Sequence, residues 1–173
     1  MAVMERKMPI SPNAIANYFL DLAAAEKRKI DPLKLQKLVY YAHGWNLAIH
    51  GRPLIDERVD AWPYGPVIPT LYHEFKRYGR DPIEEPALEW NGFEAVPARI
   101  PDGDGESRAL LQKVWEEYGR YSGIELSNMT HREGTPWHDV WRANGGHVVR
   151  GTDILDEDIR RYFVDLVRKK HSS

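Results

Sequence analysis

His131 and Glu133 invite a chemical reading, because an imidazole beside a carboxylate can act as a general base or contribute to a metal site. Their spacing favours neither. Metal pairs carried on a helix stand three or four residues apart on one face, whereas these two are two apart and point in different directions. His138 lies across the Gly134-Thr135-Pro136 break from His131. The sequence holds no Gly-x-Ser-x-Gly elbow, no phosphate-cradling glycine loop and no cysteine. Asp102-Gly103-Asp104-Gly105-Glu106 lacks the spacing of a calcium loop. We therefore expect no catalytic residue, no metal and no cofactor, with a histidine-dependent enzyme as an alternative. The plainer role for His131 and Glu133 is to tie the end of one helix to the start of the next by hydrogen bonds.

Any site must be positioned by the block from Leu35 to Trp45, which carries more aromatic surface than a simple amphipathic helix needs. At helical spacing Leu35, Leu38, Val39, Ala42 and Ile49 form one apolar stripe. Tyr40 and Leu47 share another face with Gln36, His43 and His50. A helix that is apolar on more than one face must be surrounded. Asp31-Pro32 starts it and Gly51-Arg52-Pro53 stops it. Ser11-Pro12 opens an earlier helix running to about Lys27. Pro69 starts a third, with Leu71, Tyr72, Phe75 and Tyr78 as its apolar set.

From Arg80 to Glu106 the periodicity fails and prolines accumulate. Leu88, Trp90, Phe93 and Val96 straddle Asn91-Gly92, which predicts a small β-hairpin, and Val59 to Trp62 reads as a further short strand. Helices resume with Leu110, Leu111, Val114, Trp115 and Tyr118, with the capping-box spacing Ser122 to Glu125, and with Thr135-Pro136 up to Asn144-Gly145-Gly146. Leu155, Ile159, Tyr162, Phe163 and Leu166 predict a C-terminal helix. The basic runs Lys27-Arg28-Lys29 and Arg168-Lys169-Lys170-His171 are expected to lie at the ends of the first and last helices, where cations favour the dipole. The fold class is mainly α: a compact single-domain helical bundle with a small β-hairpin excursion. We expect an N-terminal tail over residues 1–9, one domain over residues 10–170, and an irregular β-containing insertion at about residues 80–106.

With 173 residues, the chain is about one domain long and can bury roughly 70% of its unfolded surface. A net charge of −2 offers no general attraction to phosphate backbones, so no nucleic-acid partner is expected. No window approaches the roughly 20 apolar residues of a membrane span, so no membrane partner is expected either. Freedom from cysteine suits a reducing compartment, and the cytoplasm is the expected location. Asn128-Met129-Thr130 matches a glycosylation sequon that has no use without a secretory route.

Three motifs carry a family resemblance: the Leu35 to Trp45 block, Ala61-Trp62-Pro63-Tyr64-Gly65-Pro66-Val67-Ile68-Pro69, and Leu126-Ser127 followed by His131-Arg132-Glu133-Gly134-Thr135-Pro136-Trp137. In this order they closely resemble the Panacea domain, the SocA-like antitoxin domain of phage-associated proteins. The resemblance covers roughly Ile10 to Trp141. It implies a mainly helical antitoxin that binds a cognate protein toxin directly. An alternative is a proteolytic adaptor that hands its toxin to a protease complex, and a second copy of the chain is a further candidate partner. His43 stands where the family often has glutamine, Asn46 where it often has histidine, and Thr135 where serine is usual. Thr135 preserves N-cap chemistry, and the other two bear on whichever face meets a partner.

The expected partner-binding residues are Lys37, Tyr41, Trp62, Tyr64, His131 and Glu133. Lys37 and Tyr41 lie one helical turn apart and are expected to form an exposed spot on the central helix. The competing reading is a snorkelling lysine beside a core tyrosine. Two prolines and a glycine stiffen the turn that carries Trp62 and Tyr64, and rigid aromatics are favoured at binding hot spots. The alternative there is that both rings only pack.

Overall fold

The computed structural model describes residues 7–148 and 151–172, and the central helix is the axis of the molecule. Helix α1 (Pro12–Ala25) begins where the Ser11 hydroxyl accepts the Ala14 N–H, and α2 (Pro32–His50) where the Asp31 carboxylate accepts the Lys34 N–H at 2.8 Å. Gly51 ends α2 in the left-handed region at φ +68°. Around α2 pack α1, α4 (Gly105–Tyr118), α5 (Gly123–Thr130) and α7 (Asp156–His171). Leu35, Leu38, Val39, Tyr40 and Ala42 are all buried as a result. Each large apolar side chain enclosed in this way contributes about 1.5–3 kcal/mol.

The surplus aromatics of α2 belong to one cluster. Tyr41 stacks on Tyr118 with ring centroids 4.2 Å apart, and Tyr40, Tyr41 and Trp45 each meet Phe163 of α7 edge-on. The Trp45 indole N–H donates to the Tyr118 hydroxyl at 2.9 Å. Gly44 lets α7 come this close, because a Cβ there would lie 2.2 Å from a Phe163 ring carbon. His43 and Asn46 are buried too. A His43 ring nitrogen lies 2.8 Å from the Asp156 carboxylate, and the Asn46 amide donates to the Arg52 carbonyl at 2.7 Å. Both departures from the family pattern therefore act on internal joints and not on a partner-facing surface.

Strands β1 (Val59–Trp62), β2 (Gly65–Val67) and β5 (Asp153–Ile154) form an antiparallel sheet in the order β2-β1-β5. Pro66 is tolerated because β2 is an edge strand. Helix α3 (Pro69–Phe75) follows and tightens into a 3-10 turn over Lys76–Tyr78. The expected hairpin is present as β3 (Leu88–Trp90) and β4 (Ala95–Pro97), with Phe93 in its turn. Helix α6 (Pro136–Ala143) starts at Thr135, whose hydroxyl accepts the His138 N–H as expected.

Several expectations need correction. Ile49 is exposed, since the apolar stripe outruns its cover in the last turn of α2. Leu155 is the exposed residue before α7 and not part of its buried face. Helix α1 stops at Ala25, so Lys27, Arg28 and Lys29 lie beyond its last turn. Arg28 instead donates, with Lys34, to the carbonyl of Gly119, where both cations meet the C-terminal end of α4. Residues 1–6 of the expected tail lie outside the described residues. Lys7 is paired with Asp104 at 2.5 Å.

Candidate functional site

The turn Trp62-Pro63-Tyr64-Gly65-Pro66 joins β1 to β2, and its backbone is poorly equipped to hold itself. Pro63 and Pro66 have no N–H to donate, so carbonyls in and beside the turn need donors from elsewhere. Side chains supply them. The Trp137 indole N–H donates to Trp62 O at 2.7 Å, and the Ser127 hydroxyl donates to Tyr64 O at 2.7 Å. The Lys37 ammonium group donates to Pro66 O at 3.0 Å. His131 Nε2 lies 2.8 Å from Pro63 O. Just beyond the turn, the Gln36 amide donates to Ile68 O at 3.0 Å and accepts the Ile68 N–H at 2.9 Å.

These donors stand on α2, α5 and α6 or in the connection between the last two, so the three sequence motifs converge on one turn. Each such bond contributes about 1 kcal/mol net, and stripping the donor from a buried carbonyl costs about 1–3 kcal/mol. Gly65 is held at φ +105°, and a Cβ there would come within 2.6 Å of the Thr130 hydroxyl and 3.1 Å of Lys37 Nζ. Both its conformation and its close packing require glycine.

Lys37 is wholly buried, and the loss of solvent around its amine lowers its pKa to about 7. Tyr41 is buried against Tyr118, and burial pushes both hydroxyls up, that of Tyr118 to about 12. The expected exposed spot at Lys37 and Tyr41 is therefore corrected. Lys37 reaches inward to an acceptor that it cannot meet at the surface, and Tyr41 has an aromatic partner from α4.

Tyr64 is 69% exposed although the backbone on both sides of it is held. Trp62 is half-buried, its ring 4.8 Å from that of Tyr72 on α3, which is itself exposed. His131 is half-buried, its ring centroid 4.0 Å from that of Trp137 with the planes tilted by 52°, and its other nitrogen, Nδ1, lies 2.6 Å from Ser127 O. Both ring nitrogens thus face carbonyl oxygens. A doubly protonated ring donates to both, and a neutral ring donates to one.

The expected hydrogen-bonded tie between α5 and α6 is made by Thr135 and not by His131. The His131 ring nitrogens face Ser127 O of α5 and Pro63 O of the turn, and it meets α6 through its ring contact with Trp137. The Thr135 hydroxyl lies 2.7 Å from Thr130 O and 2.8 Å from Arg132 O. Glu133 lies exposed on that connection and takes no part in the tie. The structure thus brings Trp62, Tyr64 and His131 together, supports them with Lys37 from inside, leaves Glu133 at the edge and sets Tyr41 in the core. Gln36, Ser127 and Trp137 were not singled out by sequence reasoning, although each lies within a recognised motif.

Chemically, the arrangement is suited to presenting a preformed aromatic surface. The His131 nitrogens are engaged by the main chain, and among the described residues no group of three or more His, Asp or Glu side chains could hold a metal ion. No helix among them is long and apolar enough to cross a membrane.

The chain matches the antitoxin SocA-like Panacea domain over residues 35–138, a span that contains every donor to the turn. It is similar to Antitoxin SocA of Caulobacter vibrioides (strain NA1000 / CB15N), with 33% identity over 155 residues, covering 89% of this chain and 82% of that protein. No solved structure matches it.

Proposed function

The chain belongs to the SocA-like Panacea-domain family, and from that premise we propose that it is a cytoplasmic antitoxin that neutralises a cognate protein toxin by direct contact. The observation that carries the contact mode is the exposed Tyr64 ring on a turn whose carbonyls are gripped from α2, α5 and α6. A partner that meets Tyr64 pays little ordering entropy, because the backbone is already fixed. Trp62 and Tyr72 extend the aromatic surface, and Glu133 supplies a charged rim beside His131. His131 and Lys37 act from behind by holding Pro63 and Pro66, and Tyr41 anchors the helix that carries Lys37. In this reading the domain binds and does not catalyse.

The test is Tyr64→Ala, co-expressed with the product of the neighbouring reading frame. Tyr64 is exposed, so the melting temperature should stay within a few degrees of the parent. Copurification and rescue of growth should fall sharply, since an aromatic anchor at a hot spot is worth about 2 kcal/mol or more. Full rescue by Tyr64→Ala would refute the surface. Toxin abundance in the rescued cells separates two modes of neutralisation: an unchanged level supports masking, and a falling level points to delivery of the toxin to a protease.

A further inference from the structure

The β3–β4 ribbon carries Leu88, Trp90 and Phe93, exposed apolar side chains that the turn around Tyr64 does not use. Its register pairs Leu88 with Pro97, Glu89 with Val96 and Trp90 with Ala95. Directly opposed residues share a face, so Leu88, Trp90, Ala95 and Pro97 form one side and Glu89 and Val96 the other. The Glu89 side turns toward the body, where the Ser11 hydroxyl donates to its carboxylate and Val96 is half-buried. All four residues of the opposite side are exposed, Leu88 to 51% and Trp90 to 70%, and Phe93 in the turn is 89% exposed.

A lone two-stranded ribbon is marginal in water, yet this one is braced. At its base, the buried Asn17 amide donates to Ala87 O and Ala98 O, each at 2.9 Å, and accepts the Ala87 N–H at 2.8 Å. At its tip, the Asn91 side chain accepts the N–H groups of Phe93 and Glu94, both at 2.9 Å. The molecule therefore builds a rigid support for aromatic side chains that it leaves in solvent. Large apolar side chains held exposed on one braced element are the surface signature of an interaction site.

Charge selects the occupant. From Asp81 to Ala98 the chain carries Asp81, Glu84, Glu85, Glu89 and Glu94 and no lysine, arginine or histidine, although its overall net charge is only −2. Arg80 and Arg99 bound this stretch, Glu85 is paired with Arg77, and Glu89 lies on the body-facing side, so Asp81, Glu84 and Glu94 are the carboxylates that flank Leu88, Trp90 and Phe93 for a partner. Together they fit a cationic surface with an apolar recess. They repel a phosphate backbone, and they repel the same ribbon of a second copy. We infer that the β3–β4 ribbon is a docking surface for a basic protein partner, with Trp90 and Phe93 entering an apolar recess and the flanking carboxylates meeting lysines or arginines around it. Resting on the antitoxin reading above, this partner is the cognate toxin, which touches the ribbon in addition to the Tyr64 turn.

The experiment measures toxin affinity by titration calorimetry with the purified neighbouring-gene product at low and high salt. It compares the parent, Tyr64→Ala, Trp90→Ala/Phe93→Ala and Glu84→Lys/Glu94→Lys, with each chain's melting temperature recorded. The aromatic double variant should melt like the parent and bind at least about 30-fold more weakly. The charge-reversed variant should lose affinity chiefly at low salt, which flattens the salt dependence. Parent-like binding by the aromatic variant while Tyr64→Ala weakens binding would overturn the ribbon proposal and leave the antitoxin reading standing. Failure of the parent itself to bind would overturn both. Sedimentation that shows a parent dimer lost in the aromatic variant, with toxin affinity unchanged, would assign the ribbon to a second copy and also overturn the proposal.

Discussion

Lys37→Met tests whether the turn is gripped from inside the core. In the folded chain Lys37 releases its proton near pH 7, whereas in the unfolded chain it holds it to about 10.5. Between those values the unfolded state binds more protons, so stability rises with pH. Below pH 7 both states are protonated, and the penalty of burying the charge is present in full. At about 1.4 kcal/mol per pH unit, with the folded amine already half neutral at pH 7, the gain from pH 7 to pH 9 comes to about 2 kcal/mol. Methionine removes this slope. It also leaves Pro66 O without its donor, a cost of about 1–3 kcal/mol that does not depend on pH. Denaturant melts of parent and variant at pH 6, 7, 8 and 9 separate the two effects, because every other titrating group is common to both chains. The stability difference should move in favour of the parent by about 2 kcal/mol from pH 7 to pH 9. A difference that stays constant across this range would mean that Lys37 titrates as a solvated lysine and is not buried behind Pro66.

Two further substitutions probe the packing around α2. Gly44→Ala places a methyl group 2.2 Å from a Phe163 ring carbon, so it should destabilise by about 2 kcal/mol or more in a denaturant melt. Adding Phe163→Leu should recover part of that loss, and additive effects in the double variant would deny the contact. Leu38→Ala empties a wholly enclosed site on α2 and should cost about 2–5 kcal/mol. A melt unchanged from the parent would remove α2 from the centre of the fold.

Much of the helical frame was legible because its signals are local. Ser11, Asp31, Ser122 and Thr135 each cap the helix they announce, and Gly51 ends α2, as their chemistry dictates. The enclosure of α2 was also legible, since its apolar residues occupy more than one face. The burial of Lys37 was not, because a lysine on a helix ordinarily seeks water and its acceptor, Pro66 O, is 29 residues away in sequence. Strand β5 has only two residues, too few for a periodic signal. Within the site, Trp62 and Tyr64 stood out by type and stiffness, and His131 by its chemistry. The role of His131 was not visible in its neighbour Glu133, because its contact with Pro63 crosses the fold.

The grip on the Trp62 to Pro66 turn has a consequence for how recognition can change. Its donors read main-chain oxygens at positions 62, 63, 64 and 66, and the Tyr64 ring is no part of these bonds. The hold on the backbone is therefore indifferent to the ring at position 64. That residue can be exchanged for one of another size, charge or polarity with the loop geometry intact. If Tyr64 meets the partner as proposed, the scaffold thereby separates the information that specifies its own shape from the information that it shows to others, and a new specificity can be written at position 64 without repacking the interior.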